Sequence, residues 1–243
     1  MHLAAPAIVL ATHIHGEHGV IVRALTELDG VQSGYVRGGR SRGHRPVLQP
    51  ANIIIGEWRA RTESQLPSLA VELVQSRAAL HEGPLSAAAL AWLSALTVTA
   101  LPEGHPYPRL YEALGALFGL IEAASSARQW AGGVARYELL LLAELGFGLD
   151  LSRCVVSGES DDLAFVSPKS GGAVSRIAAT AYEDRLLPLP AFLRDGGDAS
   201  WPDIFAALAI TGRFIARDVL VDRRGITLAA RDRLIDGLKR AVA

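Results

Sequence analysis

The chain has 243 residues, half of them hydrophobic and a fifth charged, which excludes a disordered chain and allows one large domain or two small ones with real cores. A formal net charge of −1, from 24 basic and 25 acidic residues, excludes a uniformly basic nucleic-acid binder. It leaves room for a local basic patch, because the field near a surface follows the distribution of charge and not its sum. Only Lys169 and Lys239 are lysines, so nearly every cation is a guanidinium, the group suited to bidentate phosphate contacts. One cysteine, Cys154, excludes an internal disulfide and fits a reducing cytosol. The start, Met1-His-Leu-Ala-Ala-Pro6, lacks the basic flank and long apolar stretch of a secretory signal. The most apolar window, Ser86 to Leu101, carries Ser and Thr and falls short of the roughly 20 residues that span a bilayer. The expectation is a soluble cytoplasmic protein with no membrane partner.

In chain order, Ala7–Thr12 and Gly19–Thr26 read as strands. Asp29-Gly30 is a hairpin signal, predicted as a type I′ turn with positive φ at both central positions. Val31–Arg37, Ile53–Arg59 and Leu69–Val74 complete five strands, and five strands in under 80 residues match the size of an OB-fold barrel. After Pro84 the period changes. Leu85–Thr99, Pro108–Ala124 and Ala127–Leu145 read as helices, with Gly146 as a C-cap. Ser157–Gly172 is too long for a plain connection and predicts a small substructure. Pro202–Val219 and Leu228–Val242 are the last helices, the first opening on proline. The fold class is α+β: an N-terminal OB-fold over 1–80 and an α-helical domain over 81–243.

Between Tyr35 and Arg61 stand six arginines, Arg37, Arg40, Arg42, Arg45, Arg59 and Arg61, against one acid, Glu57. Glycines at 38, 39 and 43 allow positive φ and bring backbone N–H groups close to an anion. A mobile arginine loop on a small barrel tracks a nucleic-acid backbone; the plainer alternative is a solvated charge run. Tyr35 and Trp58 are the only aromatics nearby, which favours phosphate contacts over base readout. Arg213, Arg217, Arg223 and Arg224 form a second basic run, read as a solvated face.

Seven segments then fall in one order: Ala7-Ile-Val-Leu10, Gly16-Glu17, Val36-Arg-Gly-Gly-Arg40, Leu48-Gln-Pro50, Arg136-Tyr-Glu138 continuing to Gly148, Asp150-Leu-Ser-Arg-Cys154, and Phe165-Val-Ser-Pro-Lys-Ser-Gly-Gly172. In this order they resemble the RecO family of recombination mediators, from residue 7 to about 175; the rest is similar only in helical character. The resemblance implies an OB-fold that binds single- and double-stranded DNA, followed by a helical domain. It implies strand annealing and recombinase loading in the RecF pathway, without enzymatic chemistry. The implied partners are RecR and the acidic, apolar C-terminal tail of single-stranded-DNA-binding protein. Carried over by position, Arg37, Arg40, Arg42 and Arg45 fall in the family's basic segment. Arg136 falls in its Arg-aromatic-Glu motif, where it either meets that tail or makes a structural salt bridge.

Many family members carry Cys-x-x-Cys twice, a spacing that holds tetrahedral zinc. The matching positions here are Cys154, Ser157, Ser175 and Ala178. Hydroxyls are poor zinc ligands and alanine is none, so the expectation is a degenerate, zinc-less ribbon over 148–180, without metal or other cofactor. It would be held by packing of Val155, Leu163, Phe165 and Val174, with Cys154 as a small buried hydrophobe.

His13-Ile-His-Gly-Glu-His18 resembles the His-x-His-x-Asp-His signature of metallo-β-lactamase-like hydrolases. That makes a metal-dependent hydrolase on His13, His15 and His18 the alternative, although Glu17 departs from the pattern and His44 sits among arginines, where a cation is repelled. A protein-only adaptor is the third reading. No Walker-type motif or nucleophile elbow is present.

Overall fold

The computed structural model describes residues 2–62, 64–221 and 224–242. Five strands come first: β1 (His2–His15), β2 (Gly19–Thr26), β3 (Gly30–Val36), β4 (Ile53–Arg59) and β5 (Ser68–Gln75). They form a closed barrel in the order β1-β2-β3-β5-β4, antiparallel except where β3 meets β5 at Tyr35 and Ser68. This is the OB-fold expected from the strand count. β1 is longer than its apolar run, because its first half pairs with β4 and its second half with β2, the register shifting between Val9 and Ala11.

Alternation fills the barrel. Val20, Val22 and Ala24 of β2 point inward with Ala7, Val9, Val36, Ile54 and Leu69 around the fully buried indole of Trp58. A Cβ on Gly34 would lie 2.8 Å from the indole nitrogen, and one on Gly56 2.4 Å from the ring's far edge, so both positions leave room for the tryptophan. The β2–β3 turn differs from its expected form. Thr26 pairs with Gly30, which leaves a three-residue loop, and Gly30 alone has positive φ (69°). The Thr26 hydroxyl accepts from the Asp29 N–H and donates to the Gly30 carbonyl, a hydroxyl-pinned bulge in place of a type I′ turn.

The chain packs into two compact units, residues 1–123 with 225–241 and residues 124–224. In the first, α2 (Pro84–Ala100) and α3 (Pro108–Ala123) lie on the barrel, and α8 (Arg224–Val242) meets α2 where Gly237 faces Leu85. Arg231 stacks over the buried Trp92 ring, 5.7 Å from its centroid. In the second, α4 (Arg128–Glu144) packs on α7 (Trp201–Phe214), where the Thr211 hydroxyl donates to the buried Glu138 carboxylate. A Ser200/Asp203 capping box starts α7, and a π turn over Ile215–Val219 replaces the helical continuation expected there. Strands β6 (Leu163–Val166), β7 (Ala173–Ser175) and β8 (Leu187–Pro188) form the small substructure, with short helices α5 (Arg176–Ala179) and α6 (Phe192–Asp195) following β7 and β8.

One buried amide governs the basic loop. Within it a short helix, α1 (His44–Val47), forms where an irregular segment was expected. Asn52 is fully buried; its Nδ2 donates to the carbonyls of Pro46 (2.7 Å) and Val47 (3.0 Å), and its Oδ1 accepts from the Arg77 N–H (2.8 Å). Replacing Asn52 by Ala leaves two carbonyls and one N–H unpaired, each costing roughly 1–3 kcal/mol when buried. Asn52→Ala therefore destabilises the barrel unit by about 3 kcal/mol in denaturant titration; a loss below about 0.5 kcal/mol, the size of an ordinary surface change, contradicts this role.

Candidate nucleic-acid interface

The loop leaves β3 at Val36 and is folded back at once. Gly38 takes positive φ (67°), and the N–H groups of Gly39 and Ser41 donate to Val36 and Gly38 carbonyls. Gly39 and Gly43 do not take positive φ. Gly39 is instead demanded by packing, since a Cβ there would stand 2.8 Å from Cβ of Val20. The Ser41 side chain accepts from the His44 N–H and starts α1. At the far end Ala51, buried and at positive φ, donates its N–H to Val9, and Asn52 accepts from the Val9 N–H. The loop is thus a fixed turn bonded to β1, not the mobile segment its composition indicates.

The arginines take different positions on it. The Arg40 guanidinium donates to the Glu17 carbonyl (2.7 Å), tying the loop to the β1–β2 turn. Arg40, Arg42 and Arg45 line two hollows on either side of α1. Arg37 and Arg61 are exposed. Arg59 pairs with Ser68, which faces Tyr35 across the barrel closure, so Arg59 and Arg61 leave the barrel close to the strand from which Arg37 departs. Among the described residues none of Arg37, Arg40, Arg42, Arg45 and Arg61 has a carboxylate partner, whereas Arg59 is paired with Glu57. Hydrogen bonds from His2 and Arg59 hold the Glu57 carboxyl below its ordinary range.

The other sequence candidates separate clearly. Arg136 makes no salt bridge among the described residues. Its Nη2 donates to the carbonyls of Gly197 (2.9 Å) and Phe192 (3.3 Å), and its guanidinium lies 5.2 Å from the Phe192 ring centroid. This leaves it exposed on a hollow of about 290 Å³ shared with Arg128 and Asp198. Arg213 and Arg217 are not a bare solvated face, since they donate to the carbonyls of Pro168 and Lys169 in the β6–β7 turn. Arg223 lies outside the described residues, as does the side chain of Arg224.

His13 and His15 are exposed on β1 and His18 is exposed in the following turn. His15 sets its ring edge-on to Tyr35 at 5.8 Å. Among the described residues no three His, Cys, Asp or Glu side chains gather as a metal site.

The segment expected as a degenerate ribbon is closed by hydrogen bonds around Cys154. Cys154 is buried, and its sulfur accepts the Ser175 N–H at 3.3 Å, while the Ser175 hydroxyl accepts from Ala178. One thiol, two hydroxyls and a methyl do not make a zinc donor set. Val174, Leu163 and Phe165 are buried as expected; Val155 is half exposed and does not hold the core. Nor is Cys154 a plain hydrophobe. Burial pushes its thiol up, but hydrogen bonds from the Ser157 side chain and from the backbone of Ser157, Ser175 and Val156 bring it down to about 6.

With this geometry in place, comparison with known proteins is decisive. Residues 1–77 match the family model of Recombination protein O N terminal, and residues 81–224 match Recombination protein O C terminal. The chain belongs to the RecO family. The protein named DNA repair protein RecO in Gluconacetobacter diazotrophicus is 42% identical over 243 residues, covering 97% of this chain and 94% of that one. Its counterpart in Rhodospirillum centenum is 42% identical over 240 residues, with the same coverage. The one in Jannaschia sp. is 44% identical over 246 residues, covering all of this chain and 98% of its own. The chain is accordingly a DNA repair and recombination protein with an N-terminal OB-fold. Among the described residues no helix is long and apolar enough to cross a membrane.

The Cys154 environment has a measurable consequence. An unfolded thiol titrates near about 8.5, so a folded value of about 6 contributes stability that is full above the unfolded pKa and vanishes as pH falls through the folded one. The stability gap between the parent protein and Cys154→Ala therefore widens as pH rises from about 6 to about 8.5, measured by denaturant titration at several pH values. A gap independent of pH contradicts the lowered thiol.

Proposed function

We propose that the chain is a recombination mediator and not an enzyme. It holds single- and double-stranded DNA through Arg37, Arg40, Arg42, Arg45, Arg59 and Arg61, anneals complementary single strands, and with RecR assists recombinase loading onto DNA coated by single-stranded-DNA-binding protein. The observation that supports it most is that Arg37, Arg40, Arg42, Arg45 and Arg61 have no carboxylate partner among the described residues, around one fixed turn of an OB-fold. Annealing requires a surface that screens two polyanions without reading bases, and guanidiniums aimed at phosphates do that on any sequence. Arg59 contributes least, because Glu57 already takes part of its charge.

Arg136 is the contact for the acidic tail of single-stranded-DNA-binding protein. Its backbone hydrogen bonds and the Phe192 ring orient the side chain without neutralising it, next to Arg128. The protein acts in the cytoplasm at the nucleoid, divided functionally into the barrel over 1–80 and the helical part over 81–243, and needs no cofactor.

Simultaneous replacement R37A/R42A/R45A tests the assignment, since none of these side chains braces the fold. On a labelled single strand, affinity falls on every sequence alike, and the slope of log K against log salt shrinks by about 2, from three contacts at roughly 0.7 each. Fluorescence anisotropy across a salt series measures both. Unchanged affinity and slope overturn the site; a protein that binds the tail peptide but no oligonucleotide at low salt is the protein-only adaptor.

A further inference from the structure

The turn carrying α1 separates two hollows on the barrel unit. One, of about 380 Å³, has the buried side chains of Val20 and Leu48 in its wall, with exposed Ile14 beside them and Arg40 at its edge. The other, of about 520 Å³, is walled by Pro46 and His81, with Arg42 at its edge. The His81 ring is held by a 3.3 Å hydrogen bond between Nε2 and the Pro50 carbonyl. Arg45 and Gln49 line both hollows. They lie four residues apart; Gln49 is exposed, and its Nε2 makes a long 3.4 Å bond to the Arg45 carbonyl.

Each hollow falls in the size range of small-ligand pockets, roughly 300–1,000 Å³, and each sets weakly polar side-chain surface beside a guanidinium. A nucleotide has those same two parts, a flat weakly polar base and an anionic phosphate. We propose that the two hollows are consecutive nucleotide slots for one unpaired strand. One base lodges against Val20, Leu48 and Ile14, the next against Pro46 and His81. Arg45, on the shared wall, takes the phosphate between them, and Gln49 reaches the edge of either base. The inference rests on the DNA-binding reading above and refines it: the turn holds single strands by base and phosphate together. Bases stacked and paired inside a duplex do not reach into both slots, so the slots act before the complement arrives. The surfaces offered to the base faces are aliphatic, prolyl and imidazole, and contacts to a base face are made by any base, as annealing of arbitrary sequence requires.

A pair of ligands with equal charge separates base from phosphate. The full-length protein is titrated at low salt with labelled oligothymidylate and with an abasic deoxyribose-phosphate chain of the same length. Oligothymidylate binds at least about fivefold tighter, the low end of base stacking on protein surfaces, and Q49A/H81A brings the two affinities within about twofold of each other. Equal affinities in the parent protein overturn the slots and leave the phosphate reading intact. A preference undiminished in Q49A/H81A places the bases elsewhere and also overturns them. Failure to bind either chain overturns the DNA-binding reading itself.

Discussion

The Asn52 carboxamide is the constraint on which the arrangement of the site depends. Six polar groups meet at residues 51–52: two carbonyls from α1, the N–H of Arg77, both backbone groups of Val9 and the amide itself. All are satisfied at once, and the alternative to satisfying them in a buried place is a desolvation penalty for each. The consequence is that a glycine-rich, arginine-rich segment, which in isolation gains nothing from order, is fixed to the barrel wall. Arg77 extends the same network, its guanidinium reaching Glu122 and the Gly115 carbonyl of α3. Barrel, basic turn and α3 are thereby held by one chain of hydrogen bonds.

Fixing the turn has an electrostatic result. A chain with net charge −1 offers a cationic surface only where arginines are kept away from acids. Three acids of this unit are paired away from the turn: Glu57 with His2 and Arg59, Glu103 with Arg23, Glu122 with Arg77. A preorganised cationic turn also spares the ordering entropy that a mobile loop pays on binding a polyanion.

The barrel was legible because its short β-rich runs are bounded by turn residues; β4 falls where its apolar run lies, and β2 likewise. Helices α2, α3 and α7 were legible through prolines in their first turn, and α4 through Gly146 after its end. The basic turn was legible only as composition. Six arginines and three glycines predict mobility, and the residue that removes it, Asn52, is a single polar side chain between Ala51 and the β4 run. Nothing in its local sequence distinguishes it from a loop asparagine, because its partners at Val9 and Arg77 are distant in the chain. Gln49 stands in the sequence only as part of Leu48-Gln-Pro50, and its place in one hollow with His81 follows only once the turn folds against residues 76–81. The pairing of Arg59 with Glu57 was within reach of the sequence, since residues two apart on a strand share a face. The two-residue β8 and the four-residue α5 and α6 carry too few residues for any period to register.

Amide hydrogen exchange over residues 40–52, in the free protein and with a single-stranded oligonucleotide, tests this account most directly. The Leu48 and Ala51 amides, bonded to His44 and Val9, are predicted to be protected in the free protein on the timescale of the barrel strands, with little change on adding DNA. Rapid exchange of both in the free protein, slowed only by the oligonucleotide, would mean that the ligand, not Asn52, orders the turn.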